Sequence, residues 1–138
     1  MLMDIPEIKK ALRDKGLKAT RQRIVVYESM KRLGHASVDM VNEDLKGVEP
    51  ALTVATIYNV LELFSKCGLV ERRFSCNNKM YFDVNTQDHI HIYCTDDNSF
   101  IDIEDTKLLS AIYRQLKKKN FGDFTISGID LQILAKRT

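Results

Sequence analysis

Apolar residues recur at three- and four-residue intervals through the first half of the chain, and at two-residue intervals through much of the second. The first spacing is that of a helix with one buried face, the second that of a strand. Ile8 and Leu12 mark a short helix over 5–15, with Gly16 as its stop. Thr20 offers an N-cap oxygen to a second helix, 21–33, whose stripe is Ile24, Tyr27, Met30 and Leu33 and which Gly34 ends. Ser37 caps a third, 38–45, with Val38, Val41 and Leu45 inward. A turn through Gly47 and Pro50 leads to a fourth, 54–67, capped by Thr53, with Val54, Ile57, Leu61 and Phe64 on one face. His35 falls in a loop between the second and third helices.

Beyond Gly68 the period changes. Runs 69–74 and 79–84 read as strands joined by a turn through Ser75, Cys76, Asn77 and Asn78, since asparagine accepts the backbone of tight hairpins. Residues 85–88 read as a linker. Runs 89–94 and 100–103 form a second hairpin, 106–120 an amphipathic helix with Leu108, Leu109, Ile112 and Leu116 inward, and 124–126 and 131–134 closing strand. Helices that include a helix-turn-helix, followed by a hairpin, give the winged-helix order. The fold class expected is α+β: a winged-helix domain over 1–84 and a small α/β domain over 85–138. A unit of about fifty residues buries too little surface to be comfortable alone, and pairing with a second copy is the economical remedy.

Composition narrows the class. The chain has 138 residues, 44% of them apolar, and two prolines, enough for a real core. No apolar run approaches membrane-span length, Met1-Leu2-Met3-Asp4 opens no signal peptide, and Cys67, Cys76 and Cys94 form no C-x-x-C pair. The expectation is a cytoplasmic protein with reduced thiols and no membrane partner. The net charge of +2 hides an asymmetry: Lys9, Lys10, Arg13, Lys15, Lys18, Arg21 and Arg23 lie together against the single acid Asp14. A basic block beside a nearly balanced second half is the footprint of nucleic-acid binding. In a helix-turn-helix the second helix enters the major groove by its N-terminal end. Thr53, Thr56, Tyr58 and Asn59 are therefore the candidate base readers, with the basic segment, including Arg21, and the wing arginines, including Arg72, on phosphate.

The stretch from Asp83 to Asp102 carries a second chemistry. Strand alternation puts His89, His91 and Tyr93 on one face, with Asp83 and Asp102 on neighbouring runs. Imidazoles and carboxylates with no obligatory thiolate are the donors of a divalent-metal site. Such a set also serves non-haem metalloenzymes, and a winged helix also serves as a metal-free protein-interaction module, so both stand as alternatives.

Gly16-Leu17-Lys18-Ala19-Thr20-Arg21-Gln22-Arg23, Ala55-Thr56-Ile57-Tyr58-Asn59, Cys67-Gly68-Leu69-Val70 and Asp88-His89-Ile90-His91, in that order, resemble the ferric uptake regulator (Fur) family of bacterial metal-dependent repressors. The resemblance implies a homodimeric, non-enzymatic regulator that binds double-stranded operator DNA and controls iron homeostasis. It implies one divalent metal per chain on His35, Asp83, His89, His91 and Asp102, a major-groove tyrosine at Tyr58 and a minor-groove base at Lys18. Fe(II) is the expected metal, Mn(II) the alternative, with Zn(II) or Co(II) binding in vitro. Aspartates at 83 and 102 match the peroxide-sensing branch, where iron sensors tend to carry glutamates. Two departures stand out. A structural zinc held by four cysteines is unavailable, because one usual C-x-x-C has become Cys94-Thr95-Asp96-Asp97 and residues 135–138 hold no cysteine. The auxiliary His/Glu site of some members fails as well, with Ile90 and Gly128-Ile129 at its positions.

Overall fold

The computed structural model describes residues 4–138 apart from 75–78, 85 and 87, and the expected turn and part of the linker lie outside the described residues, as does the His89 side chain. The chain divides into two compact units, residues 1–86 and 87–138.

In unit 1 four helices precede a small sheet. Helix α1 (Ile5–Asp14) opens on a capping box in which Asp4 accepts from the Glu7 amide at 2.9 Å and Glu7 accepts from the Asp4 amide at 3.2 Å. Thr20, Ser37 and Thr53 cap α2 (Arg21–Leu33), α3 (Val38–Leu45) and α4 (Val54–Lys66), as their hydroxyl chemistry predicts. Helix α2 touches each of the other three. That central place explains why Ile24, Val25, Val26 and Tyr27 are all buried, a broader face than a single stripe. Tyr27 meets Phe64 edge-on, ring centroids 5.9 Å apart, and Ile8, Leu12, Met30, Val41, Leu45, Ile57, Leu61 and Phe82 complete one core. Each such side chain contributes roughly 1.5–3 kcal/mol on burial.

The sheet of unit 1 has the order β1-β3-β2, all antiparallel: β1 (His35–Ala36), β2 (Glu71–Phe74) and β3 (Met80–Asp83). His35 is thus in a strand rather than the expected loop. Gly34, at φ +79°, turns the chain out of α2, and its carbonyl accepts from the Val84 amide at 3.1 Å, which aligns residues 35 and 36 with β3. Two residues are too few to show an alternating pattern in sequence.

Unit 2 is a three-stranded sheet, β5-β4-β6, with one helix. Strand β4 (His89–Cys94) is central, antiparallel to β5 (Phe100–Ile103) and parallel to β6 (Asp130–Ala135). Both faces of β4 are covered: Ile90, His91, Tyr93 and Cys94 are all buried. Asp105 caps α5 (Thr106–Lys117), which contains no buried residue. Leu108, expected inward, is exposed, while Leu109, Ile112 and Leu116 are half-buried. Residues 124–126, expected as strand, are not, and Phe124 is 83% exposed. A strand needs a ladder partner, and residues 130–135 already occupy that edge of β4. No helix among the described residues is long and apolar enough to cross a membrane.

Candidate functional site

In unit 1 the sheet register places His35 directly opposite Asp83, and Asp83 directly opposite Glu71. Directly opposed residues share a face with their Cβ atoms about 5 Å apart. Strand alternation adds Arg73 and Tyr81, themselves opposed, to that face. Asp83 is 2% exposed, and its Oδ2 accepts from Arg73 Nε at 3.2 Å, while Arg73 Nη2 reaches Glu71 Oε2, also at 3.2 Å. The His35 ring stands edge-on to Tyr81 at 6.5 Å.

In unit 2 the same relationship recurs. His91 is directly opposite Asp102, and its Nδ1 lies 2.7 Å from Asp102 Oδ1. His91 is 3% exposed and packs edge-on against Phe100 at 5.7 Å, so the ring is held by its neighbours rather than free to rotate. His89 belongs to β4, opposite Asp130 in the parallel ladder. Among the described residues no group of three or more His, Cys, Asp or Glu side chains is assembled at one point. What each unit presents is an imidazole paired with a carboxylate. Donor atoms bound at about 2.1 Å to neighbouring positions of an octahedral ion sit about 3 Å apart, which the His91–Asp102 separation approaches. The donors are nitrogen and oxygen, and they fit a hard or borderline divalent cation.

Both ends of β4 are held by hydrogen bonds to later parts of the chain. Asp88 accepts from the Tyr113 hydroxyl and, at 3.1 Å, from the Ile129 amide, and the carboxylate beside it holds the Tyr113 phenol above its ordinary value. At the other end of β4, the turn after Cys94 is bonded to the last strand. Thr95 N donates to the Ala135 carbonyl at 3.0 Å, the Arg137 amide to Asp96 at 3.0 Å, and the Arg137 guanidinium to Asp97 at 2.6 Å.

The second candidate surface lies on the helices. An open groove of about 590 Å³ is lined by Thr20, Arg21, Gln22 and Arg23 at the start of α2 and by Thr56 and Asn59 of α4. It therefore joins part of the basic segment to part of the reader set. Tyr58, 41% exposed, and Asn59 stand outward on α4. Thr53 is committed to capping, and its hydroxyl lies 2.9 Å from that of Thr56. Lys18 is exposed, with its carbonyl held by Arg23 Nη1 at 3.1 Å. Arg21 donates to Glu49 at 2.6 Å. Arg72 points the other way from Glu71 and Arg73, onto the sheet face that meets α4, where Glu62 pairs with it and its guanidinium stands 6.0 Å from the Phe82 ring.

Four residues escape a reading of the sequence alone. Val54, expected in the core, is 45% exposed, one turn before Tyr58 on the outward face, and Val60 is buried in its stead. Glu71 and Arg73 belong to the His35–Asp83 face, which only the strand register reveals.

Residues 14–133 match the model of the ferric uptake regulator family. The chain belongs to that family. The peroxide operon regulator of Bacillus subtilis is 30% identical over 100 residues, 72% of this chain and 69% of that protein. The ferric uptake regulator of Vibrio cholerae, solved with a rearrangement of its DNA-binding domains, has a TM-score of 0.78 at 26% identity, covering 94% of this chain and 98% of that one. The ferric uptake regulator of Francisella tularensis, solved with iron, has a TM-score of 0.70 at 25% identity, covering 88% and 92%. This ferric uptake regulator family chain is thus built as a DNA-binding domain followed by a small dimerisation domain. Members of the family are transcription regulators rather than enzymes.

Proposed function

We propose that the chain is a homodimeric, metal-dependent repressor that binds operator DNA when a single divalent cation, Fe(II) in the cell, is held by His35, Asp83, His89, His91 and Asp102. The observation that carries this reading is the repeated cross-strand pairing of an imidazole with a carboxylate, His35 with Asp83 and His91 with Asp102. One pair belongs to the DNA-binding unit and the other to the dimerisation unit. Ligands drawn from both restrict the relative orientation of the two units, and in a dimer this sets the spacing of two recognition helices against two half-sites. By linkage, DNA then tightens metal binding as much as metal tightens DNA binding. On the DNA side Tyr58 and Asn59 read base edges, while Lys18 and the cations at the start of α2 engage phosphate.

The test is operator binding, with the operator first selected from random duplexes, in Fe(II), in Mn(II) and in chelator. Equal affinity in all three would remove the metal from the mechanism.

A second reading concerns the signal. Aspartates stand at both carboxylate positions, and the Bacillus relative is a peroxide operon regulator. Fe(II), when bound, would supply the reducing chemistry for peroxide, and a histidine of the proposed ligand set would be the residue to gain one oxygen atom, the rest of the peroxide leaving as water. Mass spectrometry after Fe(II) and peroxide separates the two: oxygen added to His35 or His89 assigns peroxide sensing, and an unmodified protein assigns iron sensing.

A further inference from the structure

Arg73 is a cation built into the face that carries His35 and Asp83. It is 7% exposed, and it divides its guanidinium between Asp83, 2% exposed, and Glu71, about half-exposed. Its place follows from the register. Arg73 lies two residues from Glu71 on β2, on the same face and diagonal to Asp83, which is the reach of a long side chain across an antiparallel pair. A carboxylate removed from water needs a countercharge, and here the guanidinium supplies it.

We propose that Arg73 is a resident placeholder cation: it neutralises Asp83 in the metal-free protein, competes with the incoming dication for that carboxylate, and so sets the metal concentration at which the site fills. This rests on the proposed role of Asp83 as a ligand. The physical reason is that a dication coordinated by Asp83 and the guanidinium bonded to the same carboxylate are like charges only a few ångströms apart, away from water, where Coulomb repulsion is weakly screened. Entry of the metal therefore weakens the Arg73–Asp83 contact, and Glu71 remains as the anion onto which Arg73 can retreat. Such an arrangement keeps the unloaded sheet intact and holds the affinity of the site below what its ligands alone would give. A sensor requires both properties, because it must be folded when empty and must release metal when the supply falls.

The experiment measures Mn(II) binding to the full chain by electron paramagnetic resonance of the free ion, in wild type, Arg73→Gln, Asp83→Asn and the double variant. Arg73→Gln should tighten Mn(II) binding roughly tenfold or more, since it removes the repulsion and leaves two carboxylates uncompensated. Asp83→Asn should weaken it, and adding Arg73→Gln to Asp83→Asn should recover little. If Asp83→Asn weakens binding while Arg73→Gln leaves it unchanged or weaker, the ligand set stands and the placeholder falls. If Asp83→Asn changes nothing, the ligand set itself falls, and the proposal with it. Should Arg73→Gln not fold, the wild-type protein still decides. On Zn(II) titration the Arg73 Nε–H resonance should move as its bond to Asp83 weakens, and a resonance that stays in place at saturation would overturn the proposal.

Discussion

Arg137 lays its guanidinium against Asp97, forty residues away in sequence, with Nη2 at 2.6 Å and Nε at 3.1 Å from the same carboxylate oxygen. The Ser99 hydroxyl at 2.6 Å and the Ser99 amide at 3.0 Å hold the other oxygen. The turn after Cys94 is therefore tied to the end of β6 and the residues just beyond it by charge and hydrogen bonds.

That clasp has a definite pH dependence. Ser99 first, then Arg137, hold the Asp97 carboxyl well below the usual carboxylate range. A carboxyl depressed in the folded state contributes stability that is fully present above its unfolded value of about 3.9 and is lost as pH falls through the depressed one. Amide protection at Thr95 should therefore hold from neutrality down to about pH 4 and fall only in stronger acid. Because the pair is exposed, added salt should weaken that protection at neutral pH. Exchange measured by nuclear magnetic resonance checks both, and an Asp97→Asn protein should exchange faster at Thr95 while Leu61 is unaffected.

Chelation should leave the assembly intact. Three cysteines cannot supply a four-cysteine zinc site within this chain, so a site of that kind is not available for EDTA to extract. Sedimentation in EDTA should report a dimer. A monomer would assign the holding role to the regulatory metal.

Tyr58 and Lys18 should fail differently on DNA. Tyr58→Phe removes one hydroxyl from the outward face of α4 and should relax preference at one base, by about 1–3 kcal/mol. Lys18→Ala should weaken all sequences alike and lower the salt slope by about one unit. Identical, sequence-independent losses would discredit α4 as the recognition helix.

His35 and His91 should also separate. His91 is buried beside Asp102 in unit 2, and His91→Ala should weaken metal binding itself, by more than the roughly 10–100-fold that losing a hydrogen-bond partner of a ligand costs. His35→Ala leaves Asp83, His89, His91 and Asp102, and metal should still bind. It should promote DNA binding less than in wild type, because on the proposed ligand set Asp83 alone then ties the metal to the first unit. A metal titration and an operator-binding assay on each variant are sufficient; full metal stimulation in His35→Ala would end the clamp.

What is legible in the sequence is whatever is decided locally. Caps at Thr20, Ser37 and Thr53 and the stripes Ile24–Tyr27–Met30 and Ile57–Leu61–Phe64 involve residues within a turn or two of one another, and the helices they announce are present. Val54 departs from its stripe because a first-turn residue can fit an apolar pattern and still precede the packed part of its helix. The strand at His35, the Arg73–Asp83 pair and the Asp97–Arg137 clasp depend on register and on partners 10 to 48 positions away (Arg73 to Asp83 and His35 to Asp83). No local period encodes those. Residues 124–126 depart for the complementary reason: their alternation suits a strand, but the edge of β4 is taken by 130–135.

An apolar cluster running from Ile8 to Phe82 closes the core of unit 1. Sensing in such a protein then involves no folding step in that unit, and its response time is set elsewhere. Collective motions of preformed units occur in microseconds to milliseconds and need no core to assemble around an arriving ion. The delay between a change in metal supply and a change in operator occupancy should therefore follow how quickly ions are exchanged and how slowly DNA is released. Rapid mixing of metal-free protein with Mn(II) and labelled operator would show a lag that shortens with ion concentration and contains no fixed, slow phase.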